Sequence, residues 1–120
     1  MPPGMRILIA EDEALVAMMI EDIVIDLGCA VIGPAGTVAR ALSLIDSEAP
    51  DGALVDLNLG GEHAGPIAAA LKARNIPFIF VSGYGRTMAD GANADVPIVS
   101  KPFDERDLRR AIATIAAARG

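Results

Sequence analysis

The chain alternates between short apolar runs and longer segments in which apolar residues recur every three or four positions. The short runs predict five strands, RILIA (6–10), CAVIG (29–33), GALVD (52–56), PFIFVS (77–82) and PIVS (97–100). They are continuous apolar stretches rather than apolar–polar alternations, which is typical of a parallel sheet that is covered on both faces.

Helical periodicity fills the intervals between the predicted strands. The first helix is predicted from the apolar stripe Leu15, Val16, Met19, Ile20, Ile23, Val24 and Leu27. Further helices are predicted around 38–45, at 66–74 and after Asp104, which is suited to cap the last of them. Residues 83–96 are rich in Gly, Ala and Asp and predict at most a short helix. Five βα units in succession predict an α/β fold with a doubly wound five-stranded parallel sheet, as one domain over residues 1–120.

Composition excludes several classes of function. The net charge is −6 and Lys and Arg form no long run, so direct binding to nucleic acid or to an anionic membrane surface is not expected. No apolar run reaches the roughly 20 residues that a membrane helix needs. The single cysteine, Cys29, allows no internal disulfide and is expected to be a small buried side chain. These features favour a cytoplasmic protein.

Polar side chains follow four of the five predicted strands. Glu11 and Asp12 follow the first strand, Asp56 and Asn58 lie at the end of the third, Ser82 ends the fourth and Lys101 follows the fifth. In a doubly wound sheet, ligands bind outside the carboxyl ends of the strands, where the strand order reverses. We therefore expect these residues to share one edge of the sheet. Gly60 and Gly61 are predicted to form a flexible turn rather than a phosphate-binding loop.

This set of residue types points to phosphoryl transfer. Three carboxylates in one cleft repel one another, and Mg²⁺, which prefers oxygen ligands, relieves that repulsion. An aspartate can act as a nucleophile and form an aspartyl phosphate. Lys101 would supply a positive charge and Ser82 a hydroxyl donor to the transferred group.

Each residue also has an ordinary structural interpretation. Asp12 is suited to cap the first helix, and Glu11 to be a solvated acid in its first turn. The remaining site residues have similar alternatives: Asp56 and Asn58 as turn residues, Ser82 as a loop residue, and Lys101 as a surface lysine that pairs with Asp104 or Glu105.

Four segments in this order resemble the receiver domain of bacterial two-component response regulators. They are ILIAEDE (7–13), LVDLNL (54–59), FVSG (80–83) and VSKPF (99–103), and the resemblance extends along the whole chain. It implies a flavodoxin-like fold with strand order 2-1-3-4-5. It also implies that Asp56 accepts a phosphoryl group from a sensor histidine kinase or a phosphotransfer protein, with a downstream protein partner that the sequence does not identify.

The resemblance also implies a role for each site residue. Mg²⁺ would be held by Glu11 through water, by Asp12 directly, by Asp56, and by Asn58 through its backbone carbonyl. Ser82 and Lys101 would contact the phosphoryl oxygens. The Lys101–Pro102 peptide bond is expected to be cis, as in the family.

Two features depart from many members of the family. Ile98 stands where many receivers have an aromatic residue that turns inward on phosphorylation. Phe80, Gly83 and Tyr84 instead resemble the FATGUY subclass of receivers. We hypothesise that phosphorylation orders residues 86–95 in place of an aromatic switch.

Two other functions are considered beside a phosphoacceptor receiver. One is a receiver-like module that binds partners without being phosphorylated. The other, less favoured, is an aspartate-nucleophile phosphohydrolase, but such an enzyme typically has an acid where this chain has Asn58. The chain is therefore not expected to be an enzyme beyond its own phosphorylation and dephosphorylation.

Overall fold

The computed structural model describes residues 4–82, 96–101 and 103–119 of the chain. Its elements are β1 (Arg6–Ala10), α1 (Ala14–Asp26), β2 (Ala30–Ala35), α2 (Val38–Glu48), β3 (Gly52–Asp56), β4 (Asn58–Leu59), β5 (Glu62–His63), α3 (Gly65–Ala73), β6 (Phe78–Ser82), β7 (Ile98–Ser100) and α4 (Glu105–Arg119). The five predicted strands are confirmed, although β2 continues through Gly33 and Pro34, where the sequence predicted its end. None of the helices in the described ranges combines the length and apolar character needed to span a membrane.

Five strands form one parallel sheet in the order β2-β1-β3-β6-β7. Numbered by their place in the chain, these sheet strands have the predicted order 2-1-3-4-5. The chain runs outward from β1 to β2 and then returns to the other side of β1 to form β3. The order therefore reverses between β1 and β3, and the crevice at their carboxyl ends is where a ligand site is expected.

Both faces of the sheet are covered by helices. In β1, Leu8 and Ala10 belong to the apolar cluster that α2 and α3 complete, whereas Ile7 and Ile9 belong to the cluster that α1 and α4 complete. Successive strand residues thus pack on opposite faces, which requires both to be apolar. Cys29 is buried, as expected.

Helix α4 begins with two reciprocal hydrogen bonds. The Asp107 amide donates to Asp104 Oδ1 at 3.0 Å, and the Asp104 amide donates to Asp107 Oδ2 at 3.1 Å. This arrangement is a capping box with an aspartate in the third helical position. It confirms that Asp104 caps the helix, and the hydrogen bond from Asp107 lowers the pKa of the Asp104 carboxyl.

Helix α1, which is confirmed, exposes part of the apolar stripe from which it was predicted. Its buried residues are Ala17, Ile20, Ile23 and Val24. Leu15 is 81% exposed, and Met19 is also exposed. At 3.6 residues per turn, Leu15 lies nearly opposite the centre of the buried stripe. The apolar stripe from which the helix is predicted is therefore only partly buried.

A small antiparallel hairpin, formed by β4 and β5, lies between β3 and α3. Gly60 and Gly61 connect its strands with φ values of 59° and 84°. Positive φ at both central residues is what a two-residue type I′ turn requires. The sequence predicted a flexible turn here, whereas the structure has a hairpin turn.

Candidate functional site

Three carboxylates lie together at the carboxyl edge of the sheet. Glu11 and Asp12 follow β1, Asp56 is the last residue of β3, and each offers an oxygen within 4.8 Å of those of the other two. Glu11 and Asp56 are only 3% and 6% exposed, whereas Asp12 is exposed. The structure therefore brings the three acids together as predicted, with Asp12 open to solvent.

Asp12 is held by the β4–β5 hairpin rather than by helix α1. The Gly60 amide donates a hydrogen bond to Asp12 Oδ2 over 3.2 Å. The N-cap of α1 is Glu13, and no side chain makes a capping hydrogen bond there. The interpretation of Asp12 as a helix cap is therefore wrong, because the hairpin tip binds its carboxylate.

Glu11 is buried, with one oxygen satisfied and one not. Its Oε2 accepts a hydrogen bond from the Glu13 amide at 3.0 Å. Its Oε1 lies 3.0 Å from Lys101 Nζ but has no partner in hydrogen-bonding geometry. Burial raises the pKa of Glu11 above its usual value, against the hydrogen bond from Glu13 and the charge of Lys101. The interpretation of Glu11 as a solvated acid is therefore wrong.

Asp56 uses its two oxygens differently. Its Oδ1 accepts a hydrogen bond from the Asn58 amide at 3.1 Å, and its Oδ2 lies 3.3 Å from Lys101 Nζ. The first contact is an Asx turn, so the turn interpretation of Asp56 holds for this oxygen. The second contact is not part of the turn and joins Asp56 to the end of the fifth sheet strand.

Lys101 lies among three carboxylates. Its Nζ is 2.7 Å from Glu13 Oε1, 3.0 Å from Glu11 Oε1 and 3.3 Å from Asp56 Oδ2. Burial alone would lower the pKa of Lys101, but the hydrogen bond to Glu13, the close contact with the Glu11 carboxylate and the charge of Asp56 raise it above its usual value. Lys101 is therefore positively charged at neutral pH.

The alternative pairing of Lys101 with acids of the last helix is wrong. Asp104 caps α4, and Glu105 accepts a hydrogen bond from Arg109 Nε at 2.7 Å. The Lys101 amide donates to the Ser82 carbonyl at 2.7 Å. This bond continues the β6–β7 ladder and directs the lysine toward the acids.

The remaining predicted site residues lie at the same edge. Ser82 is buried at the end of β6 and is in register with Ser100 of β7. Asn58 is exposed in the hairpin, in register with His63. Several other predictions, those on Gly83, Tyr84, residues 86–95 and the Lys101–Pro102 bond, fall outside the described residues.

The acidic cluster fits a hard cation. The donor set consists of carboxylate oxygens, which Mg²⁺ prefers. Glu11 Oε1 is buried and accepts no hydrogen bond, although Lys101 Nζ lies 3.0 Å away, and a bound cation would give it a direct partner. Asp12 would provide a solvent-exposed ligand on the outer side.

Two residues at the site were not predicted from the sequence. Glu13 makes the shortest contact with Lys101, and Gly60 holds Asp12. A signal existed for Gly60, because a Gly-Gly pair is typical of a two-residue hairpin turn. Glu13 adjoins the acidic pair, but its adjacency does not show which way its side chain turns.

Comparison with known proteins identifies the family. The family model of the response regulator receiver domain matches residues 7–113. The phyllosphere-induced regulator PhyR of Methylorubrum extorquens is 33% identical over 112 residues, which are 90% of this chain and 42% of PhyR. This chain therefore spans less than half the length of that relative.

Solved structures agree with this match. The solution structure of SdrG from Sphingomonas melonis Fr1 is 40% identical, has a TM-score of 0.84, and the match covers 97% of this chain and 99% of SdrG. The BeF3-activated conformation of SdrG, from Pseudomonas melonis Fr1, is also 40% identical and has a TM-score of 0.74, with 98% of each chain covered. The receiver model matches residues 7–113 of this chain, and the sheet has the strand order that the family implies. This chain therefore belongs to the receiver domain family of response regulators.

Proposed function

We propose that this receiver domain is a phosphoacceptor that takes a phosphoryl group onto Asp56 and then binds its protein partners differently. The observation that carries the proposal is the position of the Asp56 carboxylate. It is buried at the point where the strand order reverses, 3.3 Å from the Lys101 ammonium group and beside two further carboxylates. The donor would be the phosphohistidine of a sensor histidine kinase or of a phosphotransfer protein, in the cytoplasm.

In this reaction an Asp56 oxygen forms a bond to phosphorus while the bond from phosphorus to the donor imidazole nitrogen breaks. The electron pair of that bond stays on the nitrogen, and the imidazole takes up a proton from solvent. Little covalent chemistry is left to the protein, so its contribution is positioning and charge compensation. Lys101 would compensate charge on the phosphoryl oxygens, and the Ser82 hydroxyl would donate a hydrogen bond to them.

The carboxylates of Glu11, Asp12 and Asp56, with the backbone carbonyl of Asn58, would hold Mg²⁺. When bound, the ion neutralises negative charge on the oxygens of the transferred group. The buried Glu11 Oε1, which accepts no hydrogen bond although Lys101 Nζ lies 3.0 Å away, supports this assignment. So does the solvent exposure of Asp12, which gives an entering ion access.

The two rival functions have less support. A phosphohydrolase of the aspartate-nucleophile type needs a general acid two residues after the nucleophile, and the Asn58 amide cannot serve as one. In a module that only binds partners, Lys101 would merely compensate Glu11 and Asp56, and the burial of these two carboxylates at the ligand edge of the sheet would have no function. We therefore propose no enzymatic activity beyond the phosphorylation and dephosphorylation of Asp56.

Intact-mass measurement after incubation with phosphoramidate and Mg²⁺ tests the proposal. We expect the mass of one phosphoryl group to be added to the wild type, and none to be added to Asp56→Asn or to wild type in chelator. Asp56→Asn should remain folded, since Asn is nearly isosteric and removes repulsion with Glu11 and Asp12. An adduct on Asp56→Asn would place the acceptor elsewhere.

A phosphoryl group that hydrolyses quickly would escape this measurement. Beryllofluoride, which does not hydrolyse in this way, then serves as the probe in the presence of Mg²⁺. Absence of both a mass adduct and beryllofluoride binding would contradict the phosphoacceptor function.

A further inference from the structure

Lys101 is held by one solvated acid as well as by two buried ones. Its contact with Glu13 is the shortest of the three, at 2.7 Å. The side chain of Glu13 is 61% exposed, whereas those of Glu11 and Asp56 are 1% and 7% exposed. Glu13 is also the N-cap of α1, so its position is set by the start of that helix.

We propose that Glu13 is a positioning residue that competes with a phosphoryl group on Asp56 for Lys101. Acceptance of the phosphoryl group would then require the Lys101–Glu13 pair to open. The inference rests on the proposed phosphoacceptor function of Asp56 and adds to it a residue that tunes how readily the modified site forms.

Lys101 has a limited number of hydrogen-bond donors. An ammonium group has three N–H donors, and the side chain of Lys101 lies within 3.3 Å of three carboxylates. A phosphoryl group adds three strong acceptor oxygens and about two negative charges beside Nζ. The phosphoryl oxygens therefore compete with the existing carboxylates for Lys101 Nζ.

The cost of desolvation decides which contact is lost. Separation of Lys101 from Glu11 would leave a buried carboxylate without its cation, which is strongly unfavourable. Glu13 is exposed, so water replaces the lysine when the pair opens. A pair with one solvated partner also contributes less than one in which both partners are buried. Of the two glutamates, Glu13 is therefore the partner that Lys101 leaves.

The test is a beryllofluoride titration at saturating Mg²⁺, followed by amide chemical shifts. It compares the wild type with Glu13→Gln and with Glu62→Gln. Glu62 is an exposed acid of the β4–β5 hairpin and makes no ion pair in the part of the chain that the structure describes. We expect Glu13→Gln to bind beryllofluoride about two- to fivefold more tightly than wild type, and Glu62→Gln to match wild type.

Two further readouts separate competition for Lys101 from a general effect of net charge on beryllofluoride binding. Mg²⁺ affinity without beryllofluoride should stay the same or fall in Glu13→Gln, because loss of a nearby negative charge does not strengthen cation binding. The gain in beryllofluoride affinity should shrink as ionic strength rises, since salt screens exposed charges. The beryllofluoride affinity of Glu13→Asp, which keeps the charge, should be closer to that of wild type than the affinity of Glu13→Gln.

Equal beryllofluoride affinity in wild type and Glu13→Gln overturns the inference and leaves the phosphoacceptor function standing. An equal gain in Glu62→Gln also overturns it, because the effect would then be that of net charge. Failure of the wild type to bind beryllofluoride at saturating Mg²⁺ overturns the proposed function, and the inference with it.

Discussion

Lys101 and Asp56 are 45 residues apart in the chain, yet Lys101 Nζ lies 3.3 Å from Asp56 Oδ2. Parallel strand pairing brings them together: Asp56 is in register with Val81 on β6, and Ser82 is in register with Ser100 on β7. Lys101 therefore starts two strands away from Asp56. Its long side chain spans that distance along the sheet edge.

Replacement of Lys101 by Ala should destabilise the fold, because Glu11 and Asp56 would remain buried without their cation. We expect the free energy of unfolding in chelator to fall by about 1–3 kcal/mol, measured by urea denaturation. Mg²⁺ should restore part of this loss, since it supplies the missing positive charge. Arg40→Ala, at an exposed basic residue of α2, should change stability by no more than about 0.5 kcal/mol. Equal stability of Lys101→Ala and wild type would contradict the compensating role.

Mg²⁺ should stabilise the wild type against thermal unfolding. Binding to the folded state alone adds RT ln(1 + [Mg²⁺]/Kd), which is about 2.7 kcal/mol at a hundredfold excess over Kd. Asp12→Asn should lose most of the rise in Tm, because Asp12 is the exposed ligand of the cluster. Asp22→Asn, in the middle of α1, should keep the full rise in Tm with Mg²⁺. The same rise in Asp12→Asn and wild type would place the cation outside the acidic cluster.

Gly52 should not tolerate a larger side chain. A Cβ atom at this position would overlap Ile115 Cγ2 of α4 and lie 3.3 Å from Ile7 Cδ1. We expect Gly52→Ala to lower the free energy of unfolding by about 1–3 kcal/mol, because α4 must shift away from the sheet. Gly36→Ala is the matched control, since a Cβ there meets nothing within 4 Å. Urea denaturation of both variants measures the difference, and similar midpoints would show that α4 adjusts freely.

The capping of α4 should depend on pH in a defined direction. The pKa of Asp104 is lowered from 3.8 by its hydrogen bond from the Asp107 amide. A carboxyl group with a lowered pKa stabilises the fold above its unfolded value and loses that contribution as pH falls through the folded value. Asp104→Ala should therefore have a lower urea midpoint than wild type near neutral pH. The difference between the two midpoints should become smaller below about pH 4. A gap that stays constant with pH would show that the charge of Asp104 does not contribute.

Helix α1 shows where a sequence pattern is ambiguous. Leu15 and Met19 continue the three- and four-residue spacing of Ile20, Ile23 and Val24, so the pattern allows two overlapping stripes. Only contact with the sheet selects the stripe that is buried. The strands of the short β4–β5 hairpin could not be predicted from the sequence pattern either, since two-residue strands carry no periodicity of their own.

The sequence by itself determined the order of strands and helices, and with it the edge of the sheet at which Glu11, Asp12, Asp56, Ser82 and Lys101 meet. Apolar runs and helical stripes are local, and parallel pairing aligns strand ends without further information. Only the tertiary structure decided how the charges are shared. Lys101 is held most closely by Glu13, and Asp12 by the amide of Gly60, 48 residues away. Side-chain direction and desolvation set these contacts, and both depend on neighbours that are distant in the chain.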